Sequence, residues 1–195
     1  MRAFVHPFKS QMISLSNAPH NGGVFRANGF FFMQVHKNYD GDYKKDCLEF
    51  ERANGLENFV GFMTAADIEK VLSIAESGNV KAYITAGITN PAIAGDEPPR
   101  FLSKTINIAL VIKEGLTLGA MANAIMTATE AKTYTLLDLG YNATGTTSDG
   151  IGVFAFEGEQ EWAGTATRLG IDIGRAVRKA LKESLKKWEK TKDSL

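Results

Sequence analysis

The chain holds one cysteine, Cys47, and three histidines, His6, His20 and His36, in 195 residues. A single thiol excludes an intramolecular disulfide framework and fits a reducing compartment. The histidines fall in no HExxH or paired-cysteine pattern, so the spacing points to no transition metal held by the protein. Charge of one sign is lacking too. The 22 Lys and Arg are matched by 22 Asp and Glu, which argues against nucleic acid or an anionic membrane as the main partner. No apolar run approaches the ~20 residues that span a bilayer. The opening MRAFVHPFKS lacks the apolar core of a signal peptide. The expectation is a cytoplasmic protein with a small-molecule partner, no nucleic acid and no membrane, and with a homo-oligomer left open.

Familiar catalytic signatures are absent as well. Gly145 and Gly150 have the glycine spacing of a phosphate loop, but Ile151 stands where the lysine must be. Gly150, Gly152 and Ala155 mimic a dinucleotide fingerprint, yet they open a strand-like run rather than a helix. Gly-x-Ser-x-Gly does not occur, so no nucleophile elbow is visible.

What is present is concentrated between Thr117 and Gly152. Thr117 is a fitting N-cap before Leu118, and Gly140 suits a left-handed helix end. Residues 120, 122, 124, 128 and 131 are all alanine, so another backbone or a large flat ligand can come close. At 100° per residue Asn123, Thr127, Glu130 and Tyr134 fall on one polar stripe. The opposite face carries Met121, Ile125, Ala128, Leu136 and Leu139, with Lys132 among them. Directly after the helix, residues 142–152 form a run of small hydroxyl, amide and carboxylate side chains that includes Thr144, Thr146, Thr147 and Asp149.

Around this stretch the pattern alternates. Residues 3–5 and 12–15 read as two short strands or a hairpin, and the aromatic run 29–35 as a buried strand. A helix from Tyr43 to Asn54 ends at Gly55. Thr64 and Asp67 look like a capping box. Strands are expected over 59–63, 80–85, 105–112 and 151–156, and Asn107 is embedded in the third of these. A buried amide there is either satisfied by neighbouring backbone or aimed into a site. Leu169, Ile173, Ala176, Val177, Ala180, Leu181, Leu185 and Trp188 recur at helical spacing in a last helix opening near Trp162. The fold class is α+β or α/β, with a mixed, mostly antiparallel sheet covered by helices, a long central helix and a C-terminal helix.

The segments 16–23, 37–41, 61–67, 85–91 with 95–96, 105–107, 119–123, 127–132, 143–149 and 163–170, in this order and spacing, resemble the adenosylcobinamide amidohydrolase family. The likeness runs from about residue 14 to 181. Ser148 departs from it, since the family pattern favours threonine before the aspartate. The resemblance implies one amidohydrolase domain over residues 1–195. It also implies hydrolysis of the amide joining aminopropanol to the corrin ring of adenosylcobinamide, yielding adenosylcobyric acid for salvage toward coenzyme B12. The cobalt would belong to the substrate. No Asp-x-His-x-x-Gly is present, so the chain gives no sign of holding the corrinoid as a cofactor, and no cofactor is expected.

Amide hydrolysis needs an activated nucleophile, donors for the oxyanion and an acid for the leaving amine. Glu130 is the first candidate for general base, sharing its stripe with Asn123 and Thr127; the alternative is that the stripe is the wet face of the helix. Lys132 lies about 200° around the helix from Glu130, so the two cannot easily line one small pocket. On the apolar face Lys132 needs a buried carboxylate, Asp96 or Asp149. It is either half of a structural ion pair or the activator of a threonine or serine hydroxyl. Asn21, Gly22, Gly23, Thr85, Asn90, Asp96, Asn107, Asn123, Thr144, Thr146 and Thr147 are candidates for binding the amide arms of the corrin. The competing readings are a corrinoid carrier without catalysis, or an amidohydrolase of another small amide.

Overall fold

The computed structural model describes residues 2–97 and 105–192. The chain runs β1 (Ala3–Ser16), β2 (Gly23–Gln34), α1 (Tyr43–Ala53), β3 (Phe59–Thr64), α2 (Ile68–Val71), β4 (Ser73–Ser77) and β5 (Val80–Ala86). It continues through β6 (Pro91–Ala92), β7 (Ile106–Leu116), α3 (Leu118–Asp138), β8 (Gly145–Thr146), β9 (Gly150–Glu157) and α4 (Arg168–Lys192). Seven strands form one sheet in the order β3-β2-β1-β9-β7-β5-β4, and β6 pairs with β8 in a separate two-stranded ribbon. Among the strands of the described residues only β2–β3 and β7–β9 pair in parallel. The sheet is therefore mixed and mostly antiparallel, in an α+β domain with a long α3 and a C-terminal α4.

β2 shows why the aromatic run reads as buried. Phe30, Phe31, Phe32 and Met33 are all fully buried, so both faces of this strand are covered and the period-2 alternation disappears. Phe30 and Phe32 point into an aromatic layer with Phe62, Tyr83 and Phe154, while Phe31 and Met33 pack under α1 with Cys47 and Phe50. Burial pushes the Cys47 thiol up to about 12, with help from the nearby Asp46 and Glu51 carboxylates. Over the other half of the sheet α3 and α4 cover β4, β5, β7 and β9, burying Ile84, Ile108 and Val153 against Ala124, Ala128, Ile173 and Leu181.

Several local expectations need correction. Residues 3–16 are one strand rather than two; its pairing with β2 slips between Pro7 and Met12, where proline has no N–H to give to the ladder. Thr64 is not an N-cap: its hydroxyl accepts from Ala66 N at 3.1 Å within the turn, and the short α2 begins after Asp67. The last helix starts at Arg168 instead of Trp162, with the Thr167 hydroxyl accepting from Gly170 N at 2.9 Å. The central helix has its expected ends. Thr117 accepts from Ala120 N, and Gly140 takes φ +83°.

Candidate active site

The alanines at 120, 124, 128 and 131 are buried and let α3 lie close over the sheet, so the face bearing Lys132 meets the segment that leads from β8 into β9. Lys132 is 6% exposed, and its Nζ donates to Asp149 Oδ2 at 2.5 Å. Oδ2 also accepts from Thr146 N at 3.2 Å. Oδ1 accepts from Thr146 Oγ1 at 2.5 Å and from Ile106 N at 3.1 Å. Four donors thus hold one carboxylate, as a buried charge requires. Gly145 keeps the space free: a Cβ there would collide with the Asp149 carboxylate and come within 2.6 Å of Lys132 Nζ.

The segment carrying Asp149 is tied down from all sides. Asn17 donates to Asp149 O at 2.8 Å and accepts from Ile151 N at 2.7 Å. Thr105 Oγ1 donates to Ser148 O at 2.6 Å, Asn90 Nδ2 to Thr147 Oγ1 at 2.6 Å, and Thr133 Oγ1 to Thr144 O at 3.1 Å. The β6–β8 ribbon adds Thr144 N to Ala92 O at 2.9 Å.

Lys132, Asp149 and Thr146 line a cleft of about 1080 Å³, large against the roughly 300–1,000 Å³ of ordinary small-molecule sites. One wall is Thr144–Gly150 with Ala92–Ala94 and Thr105. The opposite wall comes from the end of β2 and the approach to α1: Val35, Tyr39, Asp40, Gly41, Tyr43 and Lys44, with Met63 and Thr64 of β3. Tyr39 is fixed there by donating to Asp46 Oδ2 at 2.6 Å. Burial and that carboxylate push the phenol well above its ordinary range, so it stays neutral. Asn107 faces the same cleft while donating to Met63 O at 2.8 Å. Both alternatives for this buried amide hold at once.

Of the residues expected from the sequence, Lys132, Asp149, Asn107, Thr144, Thr146 and Thr147 come together in this cleft. Glu130 does not: it is exposed on α3 and outside the cleft, because the helix turns it away from Lys132. Its stripe is a seam with α4 and solvent. Thr127 is buried and donates to Ala163 O at 2.9 Å, and Tyr134 lies under Arg178 at 4.3 Å. Asn123 is half-buried and does not line the cleft. Asn21, Gly22 and Gly23 shape the β1–β2 connection instead, with Asn21 at φ +52° and donating to Phe59 O at 2.8 Å. Thr85 is buried in β5 beside Asn107, Asn90 backs the cleft through Thr147, and Asp96 is exposed beyond it. Among the residues missed are Asn17, Ala18 and Pro19, the Tyr39–Lys44 wall, Val35, Met63 and the Ala92–Ala94 segment. For the first two groups the signal was the family-like segments 16–23 and 37–41, which carry no periodicity of their own.

Among the described residues no three His, Cys, Asp or Glu side chains converge as a metal-binding group, and no helix is long and apolar enough to cross a membrane. A buried lysine, a carboxylate and a hydroxyl in one hydrogen-bonded line at the wall of a large cleft are the kind of arrangement expected of an enzyme that takes a bulky ligand. The chain belongs to the adenosylcobinamide amidohydrolase family, whose model matches residues 1–193. It is 35% identical over 181 residues to an adenosylcobinamide amidohydrolase of Methanosarcina mazei, covering 85% of this chain and 86% of that one. A second, of Halobacterium salinarum, is 33% identical over 183 residues, covering 85% and 77%. An uncharacterized protein of Methanocaldococcus jannaschii is 34% identical over 194 residues, covering 83% and 75%. No solved structure gives a significant match.

Proposed function

We propose that this protein hydrolyses the amide between aminopropanol and the corrin ring of adenosylcobinamide, and that Lys132, Asp149 and Thr146 carry the reaction. The observation that supports this reading is the hydrogen-bonded line Thr146–Asp149–Lys132 opening onto a cleft of about 1080 Å³. The walls suit such a substrate. Asn17, Thr64, Thr105, Asn107, Thr144, Thr147 and Ser148 both donate and accept, as the primary amides around a corrin ring do. Tyr39, Tyr43, Val35 and Met63 offer aromatic and apolar surface to the macrocycle. The charged lining residues are two carboxylates, Asp40 and Asp149, and two lysines, Lys44 and Lys132, so the cleft does not select for a strongly charged ligand. The cobalt is part of the substrate, and the reaction draws on no cofactor of the protein's own.

Thr146 Oγ1 already directs its proton at Asp149 Oδ1, the relation of nucleophile to base. As Oγ1 bonds to the amide carbon, that proton passes to Asp149. The Lys132 ammonium faces the oxygen on which negative charge develops. Lys132 then protonates the departing nitrogen, the C–N bond breaks, and Asp149 returns its proton to Lys132. Water hydrolyses the resulting threonine ester, giving the corrin carboxylic acid and restoring the hydroxyl. The base role thus moves from Glu130 to Asp149.

Purified protein incubated with adenosylcobinamide should release 1-amino-2-propanol and adenosylcobyric acid. Thr146→Ser should retain turnover and, in a rapid quench, show an enzyme species heavier by the corrinoid acyl group. Thr146→Ala should lose turnover by about 10²-fold or more and show no such species. Tight binding with no release by the unmodified protein would instead make it a carrier. Full activity of Thr146→Ala would leave water as the nucleophile.

A further inference from the structure

Behind the catalytic pair lies a second, smaller cavity of about 300 Å³, lined by Asn17, Ile125, Thr129, Lys132, Asp149 and Ile151. Asn17, Lys132 and Asp149 also line the large cleft, so the ion pair is the partition between two spaces of very different size. We propose that the small cavity holds the amine half of the substrate, a short amino alcohol, while the large cleft holds the acid half. The inference rests on the amidohydrolase reading given above and adds to it the place and chemistry of the leaving group.

An amide divides at its C–N bond into an acid and an amine, and the bond must sit at the groups that cleave it. With the carbon beside Thr146 and Asp149, the two halves extend to either side of the partition. A cavity of about 300 Å³ lies at the bottom of the range for small-molecule sites and does not admit a macrocycle. It accommodates a chain of a few heavy atoms. Its chemistry is specific as well. Ile125, Thr129 and Lys132 stand at i, i+4 and i+7, on one stripe of α3. Ile125 and Ile151 supply apolar flanks for an alkyl group. Thr129 Oγ1 gives its proton to Ile125 O at 2.8 Å, so toward the cavity it presents lone pairs and accepts from an alcohol. Asn17 has both ends of its amide engaged by Asp149 O and Ile151 N and serves as a fixed wall. Lys132, common to both spaces, carries the ammonium that gives a proton to the nitrogen as the bond breaks. A short amine with one alkyl branch and one hydroxyl meets each of these surfaces.

The test uses adenosylcobinamide and the adenosylcobyric acid amide of propylamine, which lacks the hydroxyl. The unmodified protein should cleave the first about tenfold faster in kcat/KM, the ratio that one hydrogen bond of about 1.4 kcal/mol supports. Thr129→Val should reduce that ratio to near one. Ile125→Trp, which fills the cavity, should lower kcat/KM for adenosylcobinamide by about 100-fold. Its Kd for adenosylcobyric acid, which has no amine arm, should change less than twofold. Ile125→Phe serves the same purpose should the tryptophan variant not fold. Wild-type cleavage by a folded cavity-filling variant, or an unchanged ratio in Thr129→Val, would overturn the proposal and leave the amidohydrolase reading standing. Failure of the unmodified protein to release any amine would overturn both.

Discussion

Removing one partner of the Lys132–Asp149 pair tests how much of the site is held by a buried charge. The two side chains are 8% and 11% exposed, so each is largely withdrawn from water and little compensated by it when the other is lost. Breaking a buried ion pair from one side costs about 3–5 kcal/mol, against about 0–1 kcal/mol for an exposed pair. The two halves should not cost the same. Lys132→Met leaves Asp149 with three donors, Ile106 N, Thr146 N and Thr146 Oγ1, and should lie near about 3 kcal/mol. Asp149→Leu strands an ammonium and all three of those donors, and should reach about 5 kcal/mol or more. For a chain of this length that is a loss of roughly 6–12 °C in Tm for the first and more for the second. Urea unfolding at pH 7 measures both. The double variant should recover at least about 1 kcal/mol relative to the sum of the singles, since each single leaves a buried charge the other would have removed. Single costs below about 1 kcal/mol, equal costs for the two, or strict additivity would each refute a buried, Asp149-centred site.

Two further outcomes follow from the same geometry. Glu130→Gln should leave release of aminopropanol within about twofold of the unmodified protein, because an exposed group outside the cleft makes no transition-state contact; a loss of 10²-fold or more would restore Glu130 to the base role. Asp172 on α4 accepts from Ser77 Oγ at 2.5 Å and from Arg168 Nε at 3.0 Å. The Ser77 hydroxyl, more than the Arg168 charge, holds its carboxyl below the usual range against the opposing effect of burial. Its contribution is therefore fully present above the ordinary aspartate value of about 3.9 and lost as pH falls through the folded one. The stability difference between the unmodified protein and Asp172→Asn should hold above about pH 4 and shrink as pH falls further in urea unfolding, and a difference that stays constant below that point would contradict it.

The legible parts of the fold are those in which local physics and tertiary context agree. Thr117 and Gly140 bound α3 because a cap and a left-handed glycine act within one turn. α4 is legible from its apolar spacing. The need of Lys132 for a buried carboxylate followed from its place on the apolar face, and Asp149 supplies it. The polar stripe Asn123–Thr127–Glu130–Tyr134 does not line the cleft, for a physical reason: periodicity tells which residues share a face, but not what that face meets. The Tyr39–Lys44 wall was not legible, because it faces the cleft only through the parallel pairing of β2 with β3 and the curl of the sheet that carries β3 toward β7, as Asn107 bonding to Met63 O shows. The β6–β8 ribbon is two residues on each side and has no sequence pattern to announce it.

The small residues of α3 and the charged pair are parts of one arrangement. A lysine stem is four carbons long, so its ammonium reaches a carboxylate on the β8–β9 segment only if the helix backbone lies close to the sheet. Larger residues at 120, 124, 128 or 131 would lift it. The same closeness makes a Cβ at 145 intolerable, since Gly145 lies against both the Asp149 carboxylate and Lys132 Nζ. Alanine in the helix and glycine in the loop therefore do for this site what a tight turn does for a catalytic serine: they bring the Lys132 ammonium and the Asp149 carboxylate to a fixed point. The hydrogen bonds from Asn17, Thr105 and Ile106 to the Ser148–Asp149 segment then fix that point from the sheet side. With both sides anchored, the groups we propose as reactive are pre-oriented before substrate arrives, and binding energy from a large macrocycle can go into aligning the amide to be cleaved.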